Sequence, residues 1–147
     1  MNKKVLITGG AGFIGLHLAN RLLDEGCEVH LIDNFSRAVD DTELKSTLAR
    51  ESSIFTSIDL LEYDSVEQLD LDYDVIFHLA AIIGVTHVME KPYSVLYDNI
   101  RMLGNIIDLA RRQSNLLKFF YASTSEIYAG TLKHFNLSIP TPEETPL

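Results

Sequence analysis

A cluster of glycines near the amino end constrains this chain more than any other feature: Thr8-Gly9-Gly10-Ala11-Gly12-Phe13-Ile14-Gly15 follows directly on the apolar run Val5 to Ile7. A short apolar run broken by glycine reads as a buried strand with an abrupt end. Ile14, Leu18 and Leu22 then recur at helical spacing, and Gly26 stands where a helix takes a left-handed residue to finish. Val29 to Ile32 follows as a second apolar run, so the order is strand, glycine turn, helix, strand. Gly9, Gly12 and Gly15 fit a G-x-x-G-x-x-G spacing, and Gly10, Gly12 and Gly15 fit G-x-G-x-x-G. On either reading one glycine turns the chain tightly, Gly12 lets a phosphate approach the backbone, and Gly15 lets the helix pack closely on the strand. Unpaired N–H groups at the positive end of the helix then hold the anion.

The rest of the chain repeats this alternation. Ile54 to Ile58, Val75 to Leu79 and Leu117 to Ala122 read as further strands, Asp41 to Arg50 as a weaker helix, and Asp64 to Leu69 as a short helix begun by an acidic cap. The strongest helix runs from Pro92 to about Gln113 and carries two apolar stripes. One is Leu96, Ile100, Leu103, Ile107 and Ala110; the other is Val95, Met102, Ile106 and Leu109. A helix apolar on two sides is expected to be covered twice, by the sheet and by another helix or subunit. Ile139 to Leu147, with three prolines, reads as an extended loop. The fold class expected is α/β, a Rossmann-type doubly wound parallel sheet of about five strands over residues 1–147, in an order such as 3-2-1-4-5. A ligand belongs at the carboxyl ends of the strands, between the first and fourth.

Asp33 ends the second strand about 20 residues after the glycine turn, where a carboxylate accepts from a ribose 2′-hydroxyl. It also repels a 2′-phosphate, so NAD is the expected cofactor rather than NADP, a preference that nearby Arg37 softens. Twelve basic residues against 21 acidic ones give a formal net charge of −9, which argues against binding a nucleic-acid backbone. The single cysteine, Cys27, excludes an internal disulfide and any multi-cysteine zinc site, and fits a reducing, cytoplasmic setting. The five histidines lack paired ligand spacing, so no metal is expected. Glycines and His17 interrupt the apolar stretch after Lys4, against a signal peptide, and no run of about 18 apolar residues suggests a membrane span. Neither a G-x-S-x-G elbow nor a Gly-Lys-Ser/Thr ending to the glycine turn occurs.

With these residues in place the chain resembles the extended short-chain dehydrogenases/reductases, in their nucleotide-sugar epimerase, dehydratase and decarboxylase branch. Thr8 to Gly15 is similar to that family's TGGAGFIG turn, with Phe13 and Ile14 opening the helix over the cofactor. Asp33-Asn34-Phe35-Ser36 resembles its ribose-binding strand end, and Asp59-Leu60 its adenine-contacting pair. His78-Leu79-Ala80-Ala81 resembles the HLAA segment that lines the cofactor, and Asn99 the asparagine on the long helix that steadies the site. Ser123-Thr124-Ser125-Glu126-Ile127-Tyr128 resembles the segment after the fifth strand. The resemblance implies that the Thr124 hydroxyl hydrogen-bonds the reacting sugar hydroxyl or keto oxygen, with Ser125 and Glu126 beside it. Thr-Ser-Glu is closer to the decarboxylases and some epimerases than to the 4,6-dehydratases, which have aspartate where this chain has Ser125. Ala129 between Tyr128 and Gly130 departs from the usual Tyr-Gly and leaves the substrate open.

The family's chemistry also needs a Tyr-x-x-x-Lys pair, and none of the six tyrosines has a lysine four positions on; Tyr97 is followed by Arg101, and Lys133 is five beyond Tyr128. The expectation is therefore the NAD-binding amino-terminal portion of a longer nucleotide-sugar enzyme. That portion is inactive by itself, lacks the substrate-binding part, and self-associates through the helix from Leu96 to Ala110. A non-catalytic dinucleotide-binding module, redox-sensing or structural, is the alternative.

Overall fold

The computed structural model describes residues 2–128, with 141, 142 and 145. Its elements run β1 (Lys4–Thr8), α1 (Phe13–Asp24), β2 (Glu28–Asp33), α2 (Thr42–Leu48), β3 (Ser53–Ser57), α3 (Tyr63–Glu67), β4 (Val75–His78), α4 (Val85–Glu90), α5 (Pro92–Arg112) and β5 (Lys118–Tyr121), followed by a 3₁₀ turn at Ser125–Tyr128. The five strands form one sheet ordered β3-β2-β1-β4-β5, every pairing parallel. This is the expected doubly wound arrangement, with the order reversing beside β1.

Alternate residues of the strands feed two cores. Leu6, Ile32 and Ile76 face α5 and α3, packing against Val66, Met102, Ile106 and Leu109. Val5, Ile7, Val29 and Leu31 face α1, packing against Ala19 and Leu23. The central strands β1, β2 and β4 are buried on both faces, which explains their largely apolar runs, while the edge strands β3 and β5 are only partly buried. Gly26, at φ +81°, ends α1 as expected: its N–H reaches the Leu23 carbonyl at 3.1 Å and that of Cys27 the Leu22 carbonyl at 3.0 Å.

Three expectations change in detail. The Asp41 carboxylate caps α2 by accepting from Glu43 and Leu44 N–H at 3.0 and 2.9 Å, but the helix stops at Leu48 rather than Arg50. The acidic cap of α3 is absent; Glu62 holds the cap position without a side-chain bond, and Asp64 lies in the first turn. A turn on the Asp59 carbonyl, which accepts from Glu62 N–H at 3.1 Å, leads the chain into this helix. Finally, only one stripe of α5 is covered. Met102, Ile106 and Leu109 are buried, whereas Leu96, Ile100 and Ile107 are exposed. The proline-containing stretch at 139–147 lies mostly outside the described residues.

Candidate functional site

The strand ends and the loops after β1, β2, β3 and β4 enclose a cleft of about 1030 Å³. At its base the Gly12 N–H closes the glycine turn onto the Gly9 carbonyl at 3.1 Å, and Gly12 becomes the residue before α1. No side chain caps this helix and no acidic residue occupies its first turn, so its leading N–H groups are left for an anion. The glycines differ in what they permit. Gly9 has φ +67°, and a Cβ there would stand 2.9 Å from the Ala80 nitrogen, so the turn rests directly on the loop after β4. A Cβ on Gly10 would stand 2.7 Å from the Leu31 Cδ2, which makes Gly10 the glycine that packs onto the strands. A Cβ on Gly15 would overlap the Gly9 carbonyl, so Gly15 fits the helix against the turn itself rather than the strand. Gly12 meets only the Gly9 carbonyl, at 3.2 Å, and is otherwise open.

Thr8 ties the two central loops together. Its Oγ1 accepts from the Leu79 and Ala80 N–H groups at 3.2 and 3.1 Å and lies 2.8 Å from the His78 Nδ1. With both amides donating to it, the hydroxyl hydrogen goes to Nδ1, and the neutral ring carries its proton on Nε2. His78 is buried, and burial pushes its pKa down to about 4.

At the far end, Asp33 Oδ2 accepts from the Ala11 N–H at 3.2 Å and Oδ1 from the Phe35 N–H at 2.9 Å, with Phe35 held at φ +56°. A carboxylate has lone pairs beyond these two bonds, so a hydroxyl donor in the cleft still finds an acceptor. Asn34 Nδ2 reaches Asp59 Oδ2 at 3.4 Å, and Asp59 Oδ1 accepts from the Leu61 N–H at 2.9 Å.

Gly9, Gly12, Phe13, Ile14, Gly15, Asp33, Asn34, Asp59, Leu60, Leu79, Ala80 and Ala81 all line the cleft, whereas Asn99 does not. Asn99 instead clamps the backbone of Ile82, accepting from its N–H at 2.9 Å and donating to its carbonyl at 3.0 Å. Thr124 is exposed just past Ala122, which lines the cleft; its carbonyl accepts from the Ile127 N–H at 3.4 Å. The side chains of Ser125 and Glu126, and residues 129 and 130, lie outside the described residues. Sequence reasoning missed the stretch from Ile82 to His87, which forms one wall with Met102. Arg37, expected near the ribose end, lines the cleft as well, and its Nη1 reaches the Ile83 carbonyl at 3.4 Å. α4 in that wall is six residues long with none buried, so no periodic signal marks it.

A parallel sheet in this order, with an uncapped helix and glycine turn at the order reversal and a carboxylate ending the neighbouring strand, defines a dinucleotide-binding α/β domain. The chain belongs to the NAD dependent epimerase/dehydratase family, whose pattern matches residues 5–146. It is 40% identical over 128 residues to the UDP-N-acetyl-alpha-D-glucosaminuronate decarboxylase of Bacillus cytotoxicus, covering 87% of this chain and 38% of that protein. Among solved structures it resembles the UDP-Glc/GlcNAc 4-epimerase of Campylobacter jejuni, with TM-score 0.77 and 29% identity over 86% of this chain and 39% of the other. It also resembles the Bordetella bronchiseptica enzyme WbmF in complex with NAD+, with TM-score 0.73 and 26% identity over 85% and 37% of the two chains. The chain thus spans less than half the length of these relatives.

Proposed function

We propose that this chain is the NAD-binding portion of a nucleotide-sugar epimerase or decarboxylase. The uncapped start of α1 beneath the glycine turn is the observation that carries this reading: Gly9, Gly10 and Gly15 let the turn and helix pack closely, and Gly12 leaves open the approach to N–H groups that no side chain occupies. The first turn of α1 holds the pyrophosphate, Asp33 the adenosine ribose, and Asp59 with Leu60 the adenine. Leu79, Ala80 and Ala81 flank the nicotinamide half. NAD supplies the hydride acceptor and donor when bound. Thr124 then hydrogen-bonds the reacting oxygen of the sugar, and Ser125 and Glu126 orient the sugar or handle its proton. Asn99 takes part through the Ile82 loop rather than by touching the cofactor.

Alone, the chain binds without turnover, because no tyrosine in it is paired with a lysine four positions on. The exposed residues Leu96, Ile100 and Ile107 suit a homodimer contact. The single Cys27 fits a cytoplasmic setting. The lack of that acid/base pair is also what a purely non-catalytic dinucleotide-binding module would present. Calorimetric titration with NAD and NADP tests the reading: binding of NAD that Gly12→Val and Asp33→Ala both remove supports it, and a folded chain that binds neither overturns it.

A further inference from the structure

One side of α5 holds the loop after β3 by its backbone. Asn105 Nδ2 donates to the Leu60 carbonyl at 2.7 Å, and the Arg101 guanidinium, one helical turn earlier, donates to the Leu61 carbonyl at 3.3 Å. These two carbonyls belong to the segment that turns from β3 into α3, and the sheet offers them no partner, since β3 ends at Ser57. The same segment presents Asp59 and Leu60 to the cleft. Its other hydrogen bonds run within the loop and to the end of β2: Asp59 Oδ1 accepts from Leu61 N–H at 2.9 Å, Ile58 N–H donates to the Asp33 carbonyl at 3.1 Å, and Asn34 reaches Asp59 at 3.4 Å. Further along, α5 holds the opposite wall through Asn99 and Ile82 and places Met102 in the cleft. One rigid helix therefore fixes both ends of the cleft relative to each other.

We infer that Asn105 is a positioning residue for the adenine half of the cofactor, acting through the Leu60 carbonyl, with Arg101 in support. The inference rests on the cofactor reading above. It differs from a packing role because the Asn105 amide reaches the loop through its backbone. The loop's hydrophobic anchors, Ile58 and Leu60, are buried independently against the core around Met102 and Ile106. Removing the amide donor leaves those anchors in place and frees only the direction of the loop. Loss of one such hydrogen bond corresponds to about a tenfold change in an equilibrium constant.

The test compares Asn105→Asp, which keeps the size but turns a carboxylate oxygen toward the Leu60 carbonyl, with Asn105→Ala. Amide hydrogen exchange is followed in the free chain, and affinity for NAD and for ADP by calorimetry. Faster exchange confined to residues 60–62, unchanged exchange in β1 and β2, and about a tenfold loss of affinity for both ligands are expected in both variants. Exchange that rises throughout the sheet would mean Asn105 is a packing residue and overturn the inference. Wild-type binding with unaltered affinity in folded variants overturns the inference alone; failure of the wild type to bind either ligand overturns the cofactor reading with it.

Discussion

Thr8 and His78, opposite one another across the β1 and β4 ladder, join side chain to side chain at 2.8 Å inside the sheet, directly beneath the cleft. The threonine hydroxyl at once receives two amides of the β4 exit, so one small side chain fixes the histidine tautomer and the course of the Leu79 to Ala80 loop. Thr8→Val keeps the shape and removes the oxygen. It is expected to cost about 2 kcal/mol in urea unfolding, because the Ala80 N–H loses its acceptor and the buried His78 Nδ1 its donor, while Thr8→Ser stays within about 0.5 kcal/mol on that axis.

The buried imidazole makes stability depend on acidity. Burial lowers the His78 pKa from 6.5 to about 4 and lowers that of His30, which sits between the Tyr73 hydroxyl and Thr56. Between those values the unfolded chain binds more protons than the folded one, so stability is complete above the ordinary histidine pKa and declines as pH falls through the window. For His78 alone the decline is about 3 kcal/mol from pH 6.5 to pH 4. Urea midpoints measured across this range should fall toward acid, and His78→Asn should flatten the slope.

Two glycine substitutions separate folding from binding. Gly26 has φ +81° with open space around it, so Gly26→Ala is expected to lower stability by about 1 kcal/mol and leave NAD affinity unchanged. Gly12→Ala should weaken NAD binding more than folding, since its Cβ would meet only the Gly9 carbonyl, at 3.2 Å, and, on the cofactor reading, would stand beside the pyrophosphate. Thermal melts with and without NAD distinguish the two patterns.

Asp33 is expected to set the choice between NAD and NADP. Asp33→Asn keeps an oxygen for one of its two backbone donors and removes the charge that repels a 2′-phosphate. NAD affinity should fall about tenfold and NADP affinity should rise, both read by calorimetry. Equal losses for the two cofactors would assign Asp33 to the loop alone.

The outer stripe of α5 carries the proposed homodimer contact. Ile100→Glu and Leu96→Lys place charges on exposed positions away from the sheet, so neither should alter the melting temperature of a monomer. Sedimentation velocity should show association in the wild type at high concentration and its loss in both variants.

The alternation of strands and helices was legible because the central strands β1, β2 and β4 are buried on both faces and read as largely apolar runs, and because Gly26 and Asp41 are local signals whose geometry decides the outcome. The cleft was legible where a backbone constraint leaves a residue type behind, as at Gly9 or Asp33. It was illegible where the wall is made by exposed residues: Ile83, Val85 and His87 obey no period, and Arg37 reaches across to the Ile83 carbonyl over a distance in sequence that no local rule spans. The two stripes of α5 were visible, but nothing in their spacing says which one meets the sheet. That choice is made by Leu6, Ile32 and Ile76, whose own strand order had to be known first.

α5 leaves little room for neutral change. Met102, Ile106 and Leu109 answer to the sheet, Asn99, Arg101 and Asn105 to the loops, and Leu96 and Ile100 to whatever covers them. Sheet packing, loop holding and the proposed homodimer contact thus fall on one stretch of 21 residues. Sequence divergence among molecules built this way should therefore be slow along a helix that contributes only Met102 to the lining of the cleft, and faster in α2 beside the edge strand β3.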